Sequence, residues 1–302
     1  MNKIKGIIAP MLTAFKENGE FDEVKTRKFI DYLIDKGIDG IAPNGSTSEF
    51  ITMDFDERKH IVEVVIDQVN GRVPVYAGTG HYSTKLTVEL SKHAQECGAD
   101  GVMIILPYYM RPPKKDVPDH YRAVADAIDI PIILYNNPWF AGYEMTCFEI
   151  KDMFDEGLIA AVKVAHGDAS RVHDLKVLCG DKLSVLYGHD YNVIESFVGG
   201  ADGFLSGLPN VVPDLSKKML ALVQEGKIKE AYEIWDRILP LVWFFIPWKK
   251  EKNIETTPHF TASLKGFLKI LGVDVGVPRK PVQPLSGKDW EEMKEIVKHV
   301  YG

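Results

Sequence analysis

Lys163 lies near the end of an otherwise apolar run, Ile159-Ala160-Ala161-Val162-Lys163-Val164-Ala165. Such a run predicts a strand that is buried on both faces of a parallel sheet. Burying an ammonium group costs solvation energy and favours the neutral amine, which is the nucleophilic form. Lys163 is therefore a candidate for forming a Schiff base with a carbonyl substrate. Two structural alternatives stay open: a lysine that reaches solvent from a strand end, or one that pairs with a buried carboxylate.

Other residues with useful chemistry follow the remaining strand-like runs. A glycine-flanked serine–threonine turn offers backbone N–H groups and hydroxyls that suit a carboxylate. A tyrosine beside the lysine can transfer protons while a carbinolamine loses water. Each feature also has an ordinary explanation as a turn or packing residue. The segments at the strand ends are Gly45-Ser46-Thr47-Ser48-Glu49, Gly78-Thr79-Gly80-His81, Pro107-Tyr108-Tyr109, Tyr135-Asn136-Asn137-Pro138, Gly188-His189-Asp190 and Ser206-Gly207.

Short apolar runs alternate with longer amphipathic stretches through most of the chain. Eight such units in series predict an α/β fold, a (β/α)8 TIM barrel, in which the carboxyl ends of the strands meet at one mouth. A doubly wound open sheet fits less well, because the glycine fingerprint of a dinucleotide site is missing. The strand-like runs cover 4–10, 39–43, 73–77, 101–106, 131–135, 159–165, 183–187 and 202–205. The helical patterns cover 23–36, 54–69, 84–97, 117–128, 146–155, 170–179, 190–198 and 212–225.

A Gly-x-Asp-Gly segment recurs at 37–40, 98–101 and 200–203. Each copy closes a helical pattern and opens a strand-like run, and its first glycine suits a left-handed helix C-cap. We therefore expect these segments to have a structural role at the amino-terminal end of the barrel, away from the chemistry.

After residue 225 the alternation stops. Helical segments near 227–245, 257–271 and 287–300 follow one another without strands. We therefore predict that residues 1–225 form the barrel and carry the active site. Residues 226–302 are predicted to form a small C-terminal helical extension packed on the barrel.

Composition disfavours several classes of function. The 302 residues carry a net charge of −7, and the most basic stretch, Lys249-Lys250-Glu251-Lys252, is typical of a solvated helix end, so no nucleic-acid partner is expected. We expect no signal peptide, and the longest apolar block, 239–248, is about half the length that crosses a bilayer. Three cysteines without paired spacing suit a reducing compartment, so we expect a cytoplasmic protein. No cluster has metal-ligand spacing, and we expect neither a metal nor another cofactor.

The residues at the predicted mouth resemble those of a known family. The resemblance runs along the whole chain in the right order. It implies a class I lyase or aldolase that makes or breaks a C–C bond between pyruvate and an aldehyde. The segments Gly45-Ser46-Thr47-Ser48-Glu49, Pro107-Tyr108-Tyr109, Tyr135-Asn136-Asn137-Pro138 and Val162-Lys163 are similar to the signatures of the dihydrodipicolinate synthase/N-acetylneuraminate lyase family.

The resemblance implies roles for individual positions. Lys163 would form the Schiff base with pyruvate, and Tyr135 would transfer protons beside it. Ser46 and Thr47 would bind the pyruvate carboxylate, and Thr47 would link Tyr135 to Tyr109 in a hydroxyl relay. In synthase relatives the tyrosine that matches Tyr109 comes from a partner subunit, which implies a homo-oligomer, expected to be a dimer of dimers. Gly188 and Leu205 would line the pyruvate pocket through backbone atoms.

Departures from the family pattern bear on the substrate. Phe140 stands where synthases carry an arginine that holds the carboxylate of the aldehyde, so a bidentate contact is lost. Phe55 and Arg58 stand at positions of the lysine-feedback site where histidines are typical. Asp190 matches an acidic residue that contacts the sugar in sialic acid lyases, but Tyr191 replaces the glutamate that follows it there.

The expected substrate is therefore a 2-keto-3-deoxy sugar acid or a similar 2-keto acid. The loop with Trp139, Phe140 and Tyr143 suggests an aromatic wall for a sugar or an aromatic aldehyde; packing in a subunit contact is the alternative. Other open functions are dihydrodipicolinate synthase proper, N-acetylneuraminate lyase, and a 2-keto acid hydratase or dehydratase that uses the same imine. The last alternative is a non-catalytic regulator that binds a keto acid.

Overall fold

The eight strand-like runs form eight parallel strands in a computed structural model, which describes residues 3–246 and 257–302. The strands are β1 (Gly6–Ala9), β2 (Gly40–Ile41), β3 (Tyr76–Gly78), β4 (Gly101–Ile105), β5 (Ile132–Asn136), β6 (Ala161–Val164), β7 (Ser184–Tyr187) and β8 (Gly203–Phe204). They lie in the order β2-β1-β8-β7-β6-β5-β4-β3, and a parallel bridge from Ile41 to Val75 joins the two ends. The predicted (β/α)8 TIM barrel is confirmed.

The predicted helical stretches are helices, and one short helix is added. It is α5, which directly follows β5 and which the periodicity of the sequence does not reveal. The helices are α1 (Glu23–Asp35), α2 (Phe55–Val69), α3 (Thr84–Glu96), α4 (Val117–Ala125), α5 (Pro138–Ala141), α6 (Cys147–Asp155), α7 (Ser170–Cys179), α8 (Val193–Val198), α9 (Pro213–Gln224), α10 (Ile228–Phe245), α11 (Phe260–Ile270) and α12 (Gly287–Tyr301).

Alternation along each strand decides which side chains face the barrel interior. In β6, Val162 and Val164 pack in the core between the sheet and the helices, while Ala161 belongs to the interior cluster. Lys163 has the same parity as Ala161 and so points into the barrel. Tyr135, on the neighbouring strand β5, belongs to the same interior cluster. The barrel thus brings the lysine and the tyrosine to one side of the sheet.

The three Gly-x-Asp-Gly segments lie at the amino-terminal end of the barrel, as predicted. Their first glycines have φ angles of +81°, +95° and +94°, the left-handed region that favours glycine. Each aspartate accepts a hydrogen bond from a backbone N–H at the start of the neighbouring strand, and we refer to these three contacts as the aspartate latches. They join Asp39 Oδ2 to Ile7 N (2.9 Å), Asp100 Oδ2 to Val75 N (2.8 Å) and Asp202 Oδ2 to Val185 N (2.8 Å).

The last three helices, α10, α11 and α12, follow one another without strands. Helix α10 packs against α9, and α12 packs against α10 and α11. The division of the chain at residues 225 and 226 stays a prediction. The basic stretch 249–252 and the end of the apolar block, at 247–248, lie outside the described residues. Within the ranges that are described, no helix combines the length and apolar character that a membrane span requires.

Candidate active site

Lys163 lies buried near the carboxyl end of β6. Its exposed fraction is 4%, and its Nζ lies 4.0 Å from the centroid of the Tyr135 ring. The two residues are partners in the register of β5 and β6, so their side chains extend side by side. No ion pair joins Lys163 to a carboxylate within residues 3–246 and 257–302. The amine is therefore placed against a phenol ring, away from solvent.

Gly188, directly after β7, gives the Lys163 side chain its space. A Cβ added at Gly188 would lie 2.6 Å from both Cγ and Cε of Lys163. Real carbon atoms do not approach so closely, so any side chain at position 188 would displace the lysine. The sequence resemblance assigns Gly188 a backbone role toward pyruvate; the structure adds a steric reason for glycine.

We expect Gly188→Ala to lower kcat/KM about 10²-fold, because a displacement of about 1 Å at the reacting amine is costly in an oriented site. The measurement is steady-state turnover together with the rate of borohydride trapping on Lys163. Gly199→Ala is the matched control, because its Cβ would meet no atom closer than 3.3 Å and position 199 does not line the cavity. Equal activity of the Gly188 variant and the wild type would contradict this steric role.

The Tyr135 hydroxyl is held by a residue two positions further along the chain. Asn137 Nδ2 donates a hydrogen bond to Tyr135 Oη at 2.7 Å. Asn137 Oδ1 accepts bonds from the N–H groups of Trp139 and Phe140 at 2.9 and 3.2 Å, which makes Asn137 the N-cap of α5. The short helix thus fixes the amide, and the amide fixes the phenol. Since Oη accepts this bond, its own proton stays available for transfer.

The serine–threonine turn lies across the barrel mouth from these strands. Ser48 Oγ donates to Met11 O at 2.6 Å, and Ser48 N donates to Gly45 O at 3.1 Å. These bonds hold the turn on the barrel rim. Thr47 is buried and Ser46 is half-buried, and both line the same cavity as Lys163. Two hydroxyls and the backbone of the turn therefore face the amine across the cavity.

One cavity of about 180 Å³ collects these groups at the carboxyl ends of the strands. Seven of the nine predicted site residues line it: Ser46, Thr47, Tyr135, Phe140, Lys163, Gly188 and Asp190. The other lining residues are Asn137, Trp139, Ala165, His189, Ser206, Gly207, Phe245, Ile246 and Phe260.

Tyr109 and Leu205 are the two predicted site residues that do not line this cavity. Tyr109 is 89% exposed and has a φ of +66°. Leu205 is fully buried in the barrel interior, one residue before Ser206. Among the described residues, the Tyr135 hydroxyl is bonded to Asn137 and not to Thr47. The hydroxyl relay through Tyr109 therefore stays a prediction that requires a partner subunit.

Asp190 supplies a carboxylate at the cavity wall. Its Oδ1 accepts a hydrogen bond from Leu208 N at 3.0 Å. A Cβ at Gly207 would lie 2.8 Å from Asp190 Oδ2, so the glycine at this position makes room for the carboxylate. Burial raises the pKa of Asp190, while the Leu208 N–H, the Ser206 hydroxyl and the charge of Lys163 act in the opposite direction.

His189 is a further polar group at the wall, and burial lowers its pKa. Its imidazole is therefore neutral at pH 7 and can both donate and accept hydrogen bonds. In the sequence, the segment Gly188-His189-Asp190 lies at a strand end. Roles are predicted there for Gly188 and Asp190 but none for His189.

The C-terminal extension contributes lining residues that sequence reasoning missed. Phe245 and Ile246 at the end of α10 and Phe260 at the start of α11 face the cavity. In the sequence, only the apolar block at 239–248 indicates that this part of the extension is buried. An apolar pattern predicts burial, but it does not show which surface the residues pack against. The extension therefore forms part of the site, beyond packing on the barrel.

A second cavity of about 370 Å³ shares Ser46, Phe140 and Phe260 with the first. Trp139 and Phe140 are 72% and 51% exposed, and both line the first cavity. Tyr143, the third residue of the predicted aromatic wall, lines neither cavity, and the wall stays a prediction. The remaining lining residues of the second cavity are mostly apolar: Glu49, Phe50, Ile51, Thr52, Ile105, Tyr108, His259, Thr261, Pro281 and Val282.

Arg58, at a position that matches the lysine-feedback site, is buried and bonded within the chain. Its Nη2 donates to the carbonyls of Gly78 and Gly80 at 3.0 and 3.2 Å, and its guanidinium lies 5.0 Å from the centroid of the Phe50 ring. Burial lowers the pKa of Arg58 to about 10, so it is charged at pH 7. A cationic effector at this position would face a like charge.

Metal-ligating side chains meet away from the cavity. The described residues include one such group, Glu63, His93 and Cys97, in which His93 Nε2 lies 2.9 Å from Glu63 Oε1. These residues belong to α2 and the end of α3, outside the barrel, and none lines either cavity. The group therefore has no part in the chemistry at Lys163.

Comparison with known proteins identifies the family of this chain. The family model for the dihydrodipicolinate synthetase family matches residues 3–300. The 4-hydroxy-tetrahydrodipicolinate synthase of Pelobacter propionicus is 37% identical over 93% of each chain. The dihydrodipicolinate synthase structure from Aquifex aeolicus has a TM-score of 0.88 at 31% identity and covers 98% of this chain and 97% of its own.

A prophage protein of the dihydrodipicolinic acid synthase family from E. coli K12, solved in complex with pyruvate, has a TM-score of 0.89 at 28% identity, with 98% of each chain covered. These relatives therefore match the chain in both sequence and fold over nearly its whole length. The chain belongs to the dihydrodipicolinate synthetase family and is an enzyme of its carbon–carbon lyase class.

Proposed function

We propose that this enzyme is a class I aldolase that joins or cleaves pyruvate and an aldehyde through an imine on Lys163. The observation that carries the proposal is a buried lysine, paired with Tyr135 and facing the Ser46–Thr47 turn across one cavity. The relative solved with pyruvate supports the choice of donor.

The residues suit each step of this chemistry. The Lys163 amine attacks the C2 carbonyl of pyruvate, while Ser46 and Thr47 hold the carboxylate and keep the carbonyl oriented. Tyr135 donates a proton to the departing oxygen, which leaves as water, and the imine forms. Loss of a C3 proton gives the enamine, whose C3 attacks the aldehyde carbon. Water then hydrolyses the imine, releases the product and restores the amine. The reverse sequence cleaves a 2-keto-3-deoxy acid.

We propose a 2-keto-3-deoxy sugar acid, or a similar hydroxylated 2-keto acid, as the substrate. Asn137, His189, Asp190 and Ser206 offer uncharged or carboxylate partners for hydroxyl groups within the cavity. Phe140, at the position of the synthase arginine, offers an apolar face in place of a carboxylate ligand. These features favour an aldehyde that carries hydroxyl groups over one that carries a carboxylate.

The test of the donor is borohydride reduction in the presence of pyruvate, followed by peptide mass spectrometry. A single reduced pyruvate adduct on Lys163 is expected. Folded protein that gives no adduct, or an adduct on another lysine, would overturn the mechanism. An assay for released aldehyde then separates cleavage from hydratase or dehydratase chemistry, which uses the same imine and releases none.

We expect kcat/KM with pyruvate to be about 10-fold or more higher for glyceraldehyde than for aspartate semialdehyde, since the site lacks the bidentate arginine contact at 140. Phe140→Arg should shift this ratio toward the semialdehyde. Phe140→Leu is the control, because it removes the ring without adding a charge. A preference for the semialdehyde in the wild type would contradict the proposed substrate and favour synthase activity.

We also propose that the enzyme works as a homo-oligomer, a dimer of dimers, in which Tyr109 of each subunit completes the site of its neighbour. The high exposure of Tyr109 in the single chain supports this arrangement. A cytoplasmic location stays a prediction.

A further inference from the structure

Glu49 directly follows the serine–threonine turn and has a left-handed backbone. Its φ and ψ are +63° and +31°. A residue with a Cβ holds this conformation when its surroundings impose it. The Glu49 N–H donates to Ser46 O at 3.0 Å, which closes the turn. The shape of the turn therefore depends on whatever holds Glu49 in place.

The C-terminal extension holds the Glu49 carboxylate at both oxygens. Lys265 Nζ lies 2.8 Å from Oε1, and the two side chains are 2% and 5% exposed. The backbone N–H of Arg279 donates to Oε2 at 2.8 Å. Lys265 Nζ also donates to the carbonyl of Val277 at 2.8 Å, so α11 and the loop after it converge on one carboxylate.

The Arg279 side chain fastens the same loop to the base of the turn. Its two Nη atoms each lie 2.6 Å from an oxygen of Glu57, in the bidentate geometry that a guanidinium favours. Nη1 also donates to Thr52 O at 2.9 Å, and Nε donates to Gly19 O at 2.8 Å. One arginine thus connects the extension to the segment after the turn, to α2 and to the loop after β1.

We propose that Glu49, Lys265 and Arg279 are positioning residues through which the C-terminal extension sets the affinity of the enzyme for pyruvate. They act by holding the turn that carries Ser46 and Thr47, so the inference rests on the proposed function of that turn. None of the three residues lines the cavity that holds Lys163, and only Glu49 lines the second cavity. A change in the carboxylate pair therefore alters ground-state binding of pyruvate more than the chemistry at Lys163.

The test compares wild type, Glu49→Gln and the double variant E49Q/K265M. The double variant leaves no unpaired buried charge, so it can be measured even if the single variant does not fold. We expect the pyruvate concentration for half-maximal borohydride trapping, and KM for pyruvate, to rise about 10-fold, with kcat within about 3-fold of wild type. Glu49→Asp, which keeps the charge on a shorter side chain, should restore part of the affinity.

The matched control removes an ion pair at the opposite end of the barrel, between Lys176 and Asp202, whose side chains are 16% and 10% exposed. The K176M/D202N variant should lose stability and keep the wild-type KM. If the wild type forms the adduct and E49Q/K265M needs the same pyruvate concentration for half-maximal trapping, this inference is wrong but the proposed function stands. Absence of any adduct in the wild type would overturn the proposed function, and this inference with it.

Discussion

Lys163→Ala is expected to lower kcat/KM by about 10⁴-fold or more while the barrel stays folded, because Lys163 is the only lysine among the described residues that line the cavity. Residual activity would come from binding alone. The fold should survive, since the change removes a buried amine that has no ion-pair partner among the described residues. Turnover, borohydride trapping and the thermal unfolding midpoint are the measurements.

Lys163→Met is the matched variant, because methionine keeps much of the chain that packs against Gly188 and lacks the amine. Both variants should be inactive to a similar extent, and both should fail to trap pyruvate. Wild-type activity in either variant would rule out the imine mechanism. Inactivity of the alanine variant alone would instead point to lost packing beside Gly188.

Tyr135→Phe is expected to lower kcat about 10²–10³-fold, the usual range for a positioned proton donor. The ring that packs against Lys163 stays in place, so the adduct should still form, but slowly, as dehydration of the carbinolamine lacks its acid. Rapid-quench trapping with borohydride separates adduct formation from overall turnover.

The control is Tyr121→Phe. Tyr121 is fully buried in α4, and its hydroxyl donates to Ile104 O at 2.9 Å, so its loss should cost about 1 kcal/mol of stability. Its kcat should stay near that of the wild type. If Tyr135→Phe also retained wild-type kcat, the proton would have to travel by another route, and the role given to the Asn137–Tyr135 hydrogen bond would fail.

The fold is predictable from the sequence because the order of strand-like and helical segments matches the order of elements in a barrel. Apolar β-branched runs alternate with amphipathic stretches, and an array of eight such units has one common solution. The sequence predicts that β6 is buried on both faces, so it does not decide on its own that Lys163 points into the barrel. The packing of Val162 and Val164 in the core between the sheet and the helices decides this. Strand ends then locate the mouth, and six of the seven predicted residues that meet in one cavity lie in a strand or in the segment that follows one. The seventh, Phe140, is predicted from the family resemblance alone.

Other parts of the site depend on long-range packing that a pattern does not contain. Helix α5, which Asn137 caps, has only four residues, and a helix this short shows no periodicity in the sequence. Phe245 and Phe260 reach the cavity only because the extension folds back over the mouth. The pairing of Glu49 with Lys265 spans more than two hundred positions, and neither residue type alone indicates it. Tyr109 is highly exposed and does not line the cavity, so its predicted place in the site stays a prediction.

The aspartate latches have a consequence for how this enzyme can evolve. All three lie at the amino-terminal end of the barrel, opposite the mouth, so replacement of mouth loops leaves barrel closure untouched. The pattern marks β2, β4 and β8. Ala160 precedes β6, and its N–H donates to Ile132 O at 3.0 Å, but its side chain has no oxygen that could accept a further hydrogen bond. The strand that carries the reactive lysine is thus the even-numbered strand without a latch. Selection for new substrates can therefore change the loops at the mouth, while the aspartate latches at the opposite end keep the barrel closed.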